Sequence, residues 1–255
     1  MESIIKKIEQ KNKYKMFQIR LIHFLSHIWS KEIQFQSYDI ILIISPHPDD
    51  EVIGCAGLIQ KMLKQKKEVY VLMVTEGEAV WENSLIDREE LIAKRKEFML
   101  TAARIIGLPY DHYIHLKWSD GKLSEAVSNH VKQHELVRII ESIKPSLIIL
   151  PHPLEISGDH NAMNELLSHS LKISNRKIKI FYNRIHSIRF LREFILGWKK
   201  SFILSLSKEE YQTKIQALDA YYKPLAPFGK PYSGEFAKSL LFSMKWNKEL
   251  FFEAD

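Results

Sequence analysis

Cysteine is almost absent from this 255-residue chain, Cys55 being its one thiol. An internal disulfide framework and a Cys-rich zinc module are therefore both excluded. Long apolar runs are missing as well, and none approaches the ~20 residues needed to cross a bilayer. The opening stretch, MESIIKKIEQKNKYK, is charged and lacks an apolar core followed by small residues, so no signal peptide is predicted. No internal repeat or low-complexity tract is visible. Together these absences predict a soluble, cytoplasmic protein. What is present is globular in character: 45% hydrophobic residues exclude wholesale disorder. The length suits one or two domains. An excess of 37 Lys+Arg over 31 Asp+Glu gives a formal charge of +6, which leaves an anionic partner open.

Three zones follow along the chain. Residues 1–36 read as an N-terminal amphipathic helical extension, with Phe17, Leu21, Phe24, Leu25 and Ile28 at helical spacing. Lys6, Lys7, Lys11, Lys13, Lys15 and Arg20 flank that face. It is open to two readings, a helix docked on its own domain or a basic helix lying on a membrane surface. Residues 37–255 read as one catalytic domain. Between 38 and 182, apolar β-rich runs (YDIILIIS, EVYVLMVT, DHYIHL, PSLIILP, IKIFYN) alternate with helical patterns, including 86–106 and 125–143. That alternation predicts an α/β fold, a three-layer Rossmann-like and mostly parallel sheet with helices on both faces. Ligands bind such sheets at the carboxyl ends of the strands, so the loops after Ser45, Thr75, Leu116 and Leu150 are where chemistry is expected. From about residue 183 the chain turns aromatic and basic, with a further helix around 209–222. Its apolar residues are too dense for a solvated phosphate groove, so no nucleic-acid partner is expected.

The loop after the first strand of that domain reads Ser45-Pro46-His47-Pro48-Asp49-Asp50-Glu51. So many chargeable groups beside a buried strand are costly unless something satisfies them, and a divalent metal would. His47 and Asp50 are three apart on a tight turn into a helix, which lets one nitrogen and one oxygen converge. Asp49 between them is free to face an open coordination position. The competing explanation is that Asp49 or Asp50 simply caps the helix. A third ligand would come from another strand end, where His160 follows PSLIILP. Two nitrogens, one carboxylate and a water make a catalytic zinc arrangement. Read alone, His152 and His160 would be loop or cap histidines.

His-Pro-Asp-Asp-Glu after a strand resembles the LmbE-like/PIG-L family of zinc-dependent N-deacetylases. The likeness extends over Thr75-Glu76-Gly77-Glu78, Arg95-Lys96-Glu97, Ala102 to Gly107, Asp120-Gly121, Gly158-Asp159-His160 and Lys214 to Tyr221. It implies a hydrolase that removes the acetyl group from an N-acetylglucosamine-type amino sugar in a glycolipid, glycan or glycoconjugate, releasing acetate. It further implies that His47, Asp50 and His160 bind Zn2+, or another divalent metal such as Fe2+, with Asp49 as general base. Arg95, Asp120 and Glu78 match sugar-holding positions. Where many members carry a histidine, this chain has Ser157. That histidine stabilises the oxyanion or protonates the leaving amine, and Asp159 would orient it; one such donor is worth roughly 10²–10³ in rate. Either Ser157 suffices beside the metal, His152 substitutes, or turnover is impaired. A non-catalytic zinc-containing glycan-binding protein and an amidase on another sugar-linked amide are the alternatives. A peripheral contact with the inner membrane face or a lipid-linked glycan is a further expectation.

Overall fold

The computed structural model describes residues 2–81, 86–185, 197–236 and 238–254, with side chains from residue 13 onward except that of Trp81. Part of the aromatic and basic run, 186–196, lies outside the described residues, as do the side chains of Lys6, Lys7 and Lys11.

The expected strands form, and why they do is visible in the burial. In β2 (Ile40–Ser45), Ile41 and Ile43 enter one core while Leu42 and Ile44 enter the other. Both faces are covered, so period-two alternation places apolar groups on each side and the run reads as continuously hydrophobic. β3 (Glu68–Thr75) and β5 (Leu147–Pro151) behave the same way. With β1 (Lys31–Glu32), β4 (Tyr113–Trp118), β6 (Lys179–Asn183), β7 (Ser201–Ser205) and β8 (Lys248–Glu253) they make an eight-stranded sheet, in the order β1-β7-β8-β6-β5-β2-β3-β4. Among the described strands only β8 pairs antiparallel, against β6 and β7.

Helices α2 (Asp50–Lys64), α3 (Arg88–Ile106), α7 (Lys208–Tyr222) and α8 (Lys238–Met244) pack on one face of the sheet. α4 (Ser124–Val127), α5 (His130–Ile143) and α6 (Gly158–Ser174) cover the other. The architecture is thus the expected three-layer, mostly parallel α/β fold. The pattern over 125–143 is two helices, because Asn129 starts a new one by accepting the amide of Lys132 at 3.2 Å. The orientation of α2 is fixed by a buried ion pair. Glu249 accepts the amides of Gly57 and Leu58 at 2.7 and 2.9 Å, and Lys214 Nζ answers its charge at 2.9 Å.

At the sheet edge, α1 (Glu2–Trp29) packs on β7 and β8 through Ile22, which clusters with Ile203, Leu250 and Phe252. Of the predicted face, Leu25 packs against that cluster, but the centre of the docked face lies elsewhere. Ile19, Ile22 and Ser26 are fully buried, whereas Phe17, Phe24 and Ile28 are exposed. The helix carries apolar residues on more than one face, and periodicity cannot choose between them.

Strand β2 has β3 on one side and β5 on the other. Connections leave it in both directions, and the crevice that opens there at the carboxyl ends is where ligands lodge in such sheets.

Candidate active site

The β2–α2 loop enters that crevice in a conformation only a heavily braced chain sustains. Asp49 has φ 122°, a left-handed value that costs a non-glycine residue of order 1–3 kcal/mol. The brace is Glu51, fully buried on α2. Its Oε2 accepts the Asp49 amide at 3.1 Å and the Ser45 hydroxyl at 3.2 Å. Its Oε1 accepts the Tyr221 hydroxyl at 2.7 Å. Asp49 stands at the helix N-cap yet makes no capping bond with its side chain. Its carboxylate turns instead to the crevice, where burial pushes its pKa up to about 8, against the opposing pull of Arg95.

Asp50 likewise spends its carboxylate elsewhere than on a helix end. Its Oδ2 accepts the His47 amide at 3.0 Å, and lies 3.3 Å from His47 Nδ1 and 3.2 Å from His160 Nε2. Burial alone would raise its pKa, but the two histidines outweigh burial and hold it well below the usual carboxylate range. His160 is fully buried in the first turn of α6, and its ring centroid is 5.3 Å from that of His47. Ligand atoms of His47, Asp50 and His160 all lie within 4.8 Å of one another.

His47 has a second set of neighbours. Its Nε2 is 3.2 Å from Asp120 Oδ1 and 3.3 Å from Asp159 Oδ2. Burial works against charging this imidazole, but the three carboxylates prevail and raise its pKa well above the ordinary value. His47, Asp120 and Asp159 also form a group of metal-ligand spacing. Their carboxylates are already committed to backbone, however. Asp159 accepts the amides of Gly121 at 2.8 Å and Leu123 at 3.1 Å, and Asp120 accepts that of Ala79 at 2.9 Å. Asp50 too accepts one backbone amide, that of His47, but its group supplies two imidazoles and a single carboxylate, the donor set suited to zinc or a similar divalent ion, so His47, Asp50 and His160 fit the metal better.

The remaining predicted residues separate by what they touch. Arg95 is buried, donates to the Pro48 carbonyl at 2.8 Å and stands 3.8 Å from Asp49 Oδ2. It is a wall of the crevice, not a surface ion pair. A Cβ on Gly77, whose φ is +70°, would sit 2.5 Å from its guanidinium carbon, so that position requires glycine twice over. Asp120 lines the crevice, while Glu78 stands behind it, accepting the Asp120 amide at 3.2 Å. Ser157 does not reach the crevice wall. Its hydroxyl caps α6 by accepting the His160 amide. His152 is also elsewhere, its Nδ1 accepting the Leu154 amide and its ring edge-on to Tyr182 and Phe252.

Three contributors were not anticipated. Tyr222 donates its hydroxyl to Asp49 Oδ2 at 3.1 Å, and Ser233 and Phe236 line the crevice from the far end of the chain. The one available signal was the Tyr221-Tyr222 pair closing a helical pattern. Successive helical residues diverge by about 100°, which here sends one hydroxyl to Glu51 and the next to Asp49. The crevice, about 240 Å³ and open to solvent, also meets Ile53, Val80 and Ile185.

Comparison with known proteins agrees with this geometry. Residues 42–171, just over half of the chain, match the family model described as PIG-L: GlcNAc-PI de-N-acetylase. The chain is 29% identical over 119 residues to diacetylchitobiose deacetylase of Thermococcus kodakarensis, covering 47% of this chain and 43% of that one. It is 24% identical over 211 residues to a probable N-acetyl-alpha-D-glucosaminyl L-malate deacetylase of Bacillus anthracis, covering 81% and 90%. Among solved structures it resembles N,N'-diacetylchitobiose deacetylase from Pyrococcus horikoshii, with a TM-score of 0.59, 23% identity and coverage of 73% and 70%. The match thus spans less than half of the Thermococcus protein and nearly all of the Bacillus one. The chain belongs to the PIG-L family.

Proposed function

We propose that the crevice is the active site of a metal-dependent N-deacetylase acting on an N-acetylglucosamine-type amino sugar, with water as co-substrate and a free amine and acetate as products. The observation that carries this reading is that His47, Asp50 and His160 converge beside an Asp49 that caps nothing. A divalent ion held by those three residues would acidify a water and polarise the acetamide carbonyl. Asp49 then accepts the proton of the attacking water and delivers it to the nitrogen as the C–N bond breaks. Arg95 offers a planar set of donors to sugar hydroxyls, and Asp120 accepts from them while keeping His47 in orientation. Asp159 acts at one remove, tying the 121–123 turn to α6 and steadying His47. Zinc is the ion we favour, since the donor set is two imidazoles and one carboxylate.

Ser157 supports a second reading. Its side chain caps α6 and does not line the crevice, so it offers no donor to an oxyanion there, and a metal-containing glycan-binding protein of slow or absent turnover fits that feature. A screen for acetate release by metal-loaded protein, over N-acetylglucosamine glycans and glycolipids, separates the two. Acetate lost on Asp49→Asn supports the enzyme; bound metal without acetate from any substrate supports the binder. Among the described residues no helix is long and apolar enough to cross a membrane.

A further inference from the structure

Helix α1 has two apolar faces, and the fold uses one. Opposite the buried Ile19 and Ile22, the side chains of Tyr14, Phe17, Phe24 and Ile28 stand 62%, 61%, 60% and 56% exposed. They recur at steps of three and four residues once the half-buried Leu21 is included. At about 1.5 Å per residue the stripe runs roughly 21 Å. At the end of the helix, beside the stripe, the ring of Trp29 lies 5.8 Å from that of the exposed Trp198. A contiguous row of large apolar groups facing water marks a docking surface.

Charge says what docks there. No acid occurs between Glu9 and Glu32, a stretch that holds Lys13, Lys15, Arg20 and Lys31, and Lys199 and Lys200 follow Trp198. Two copies of the stripe face to face would set cation against cation with no acid between Tyr14 and Ile28 to answer, which opposes self-association. An anionic lipid surface satisfies both features. It buries the apolar row at the acyl boundary, seats the tryptophans at the headgroup level and pairs the cations with phosphates.

We propose that the outer face of α1, with Trp198-Lys199-Lys200, docks the protein peripherally on an anionic phospholipid bilayer. Docking goes beyond the deacetylase reading and stands apart from it, because lipid binding is measured without turnover. The full chain is to be co-sedimented with phosphatidylcholine vesicles containing phosphatidylglycerol, and with phosphatidylcholine alone. Pelleting with the anionic vesicles, weakening as salt is raised, is the expected result. Phe17→Ser/Phe24→Ser/Ile28→Ser should lower the partition coefficient roughly a hundredfold, with an unchanged unfolding midpoint because these side chains are exposed. Lys13→Glu/Lys15→Glu/Arg20→Glu should remove the preference for anionic vesicles. Failure of the parent chain to pellet, or equal pelleting with both vesicle types, overturns the proposal. So does a dimer in sedimentation velocity that the serine variant dissolves. Should the serine variant misfold, the charge-reversed protein still decides, since its retaining parental binding overturns the proposal as well.

Discussion

The two loops that build the crevice are held in different ways. The one after β2 is over-determined: Glu51, Tyr221, Tyr222 and Arg95 all reach its backbone or its acids, and they hold Asp49 at a φ of 122°. The one after β5 starts α6 by ordinary means, a serine cap with the metal-ligand candidate His160 three residues on. Strain is sustained where the surrounding structure opposes its release. The contrast locates the demanding geometry at Asp49 and leaves the α6 side as a support. It also explains how a serine can stand at 157: that position can serve the helix end without disturbing His160.

Four substitutions test this contrast. Asp49→Asn should have the largest effect on chemistry, lowering the rate of acetate release about 10³-fold while metal content stays unchanged. Glu51→Gln replaces one carboxylate oxygen by an NH2, which then faces the Tyr221 hydroxyl or the Ser45 hydroxyl and Asp49 amide that the oxygen now satisfies. We expect it to lower unfolding free energy by about 2 kcal/mol in denaturant titrations, beyond what a surface change would cost. Tyr222→Phe removes one hydrogen bond to the base. A fall in kcat of about tenfold with KM unchanged is expected, and the same change made on top of Asp49→Asn should add nothing, because the tyrosine acts through that carboxylate. Ser157→Ala should be mildest, costing about 1 kcal/mol of stability, as for a lost helix cap, with kcat near parental. A large loss of kcat in Ser157→Ala, with Tyr222→Phe silent, would reverse the ranking of the two loops.

Much of this was legible in the sequence for physical reasons. Strands buried on both faces write themselves as unbroken apolar runs, and the crowd of acids after Ser45 was too costly beside a strand to be incidental. His160 follows β5, where a third ligand is expected, and is readable only beside the first motif; the structure brings it to His47 and Asp50. Less legible was anything depending on which way a side chain turns. The pattern of α1 contained both faces, and only packing against β7 and β8 chose Ile19 and Ile22 over Phe17 and Phe24. Tyr222, Ser233 and Phe236 all reach the crevice from positions more than 170 residues beyond Asp49, with no local motif to announce them. The role of Glu51 was hidden in the same way, since a buried brace and a metal ligand look alike when four acids and imidazoles adjoin.

The most direct test of the central claim joins two readouts on the parent chain and Asp49→Asn: divalent metal content, and acetate released from N-acetylglucosamine-containing substrates. The account predicts about one ion per chain in both proteins, with acetate from the parent alone. Acetate from Asp49→Asn at the parental rate, or none from the metal-loaded parent on any such substrate, would contradict it.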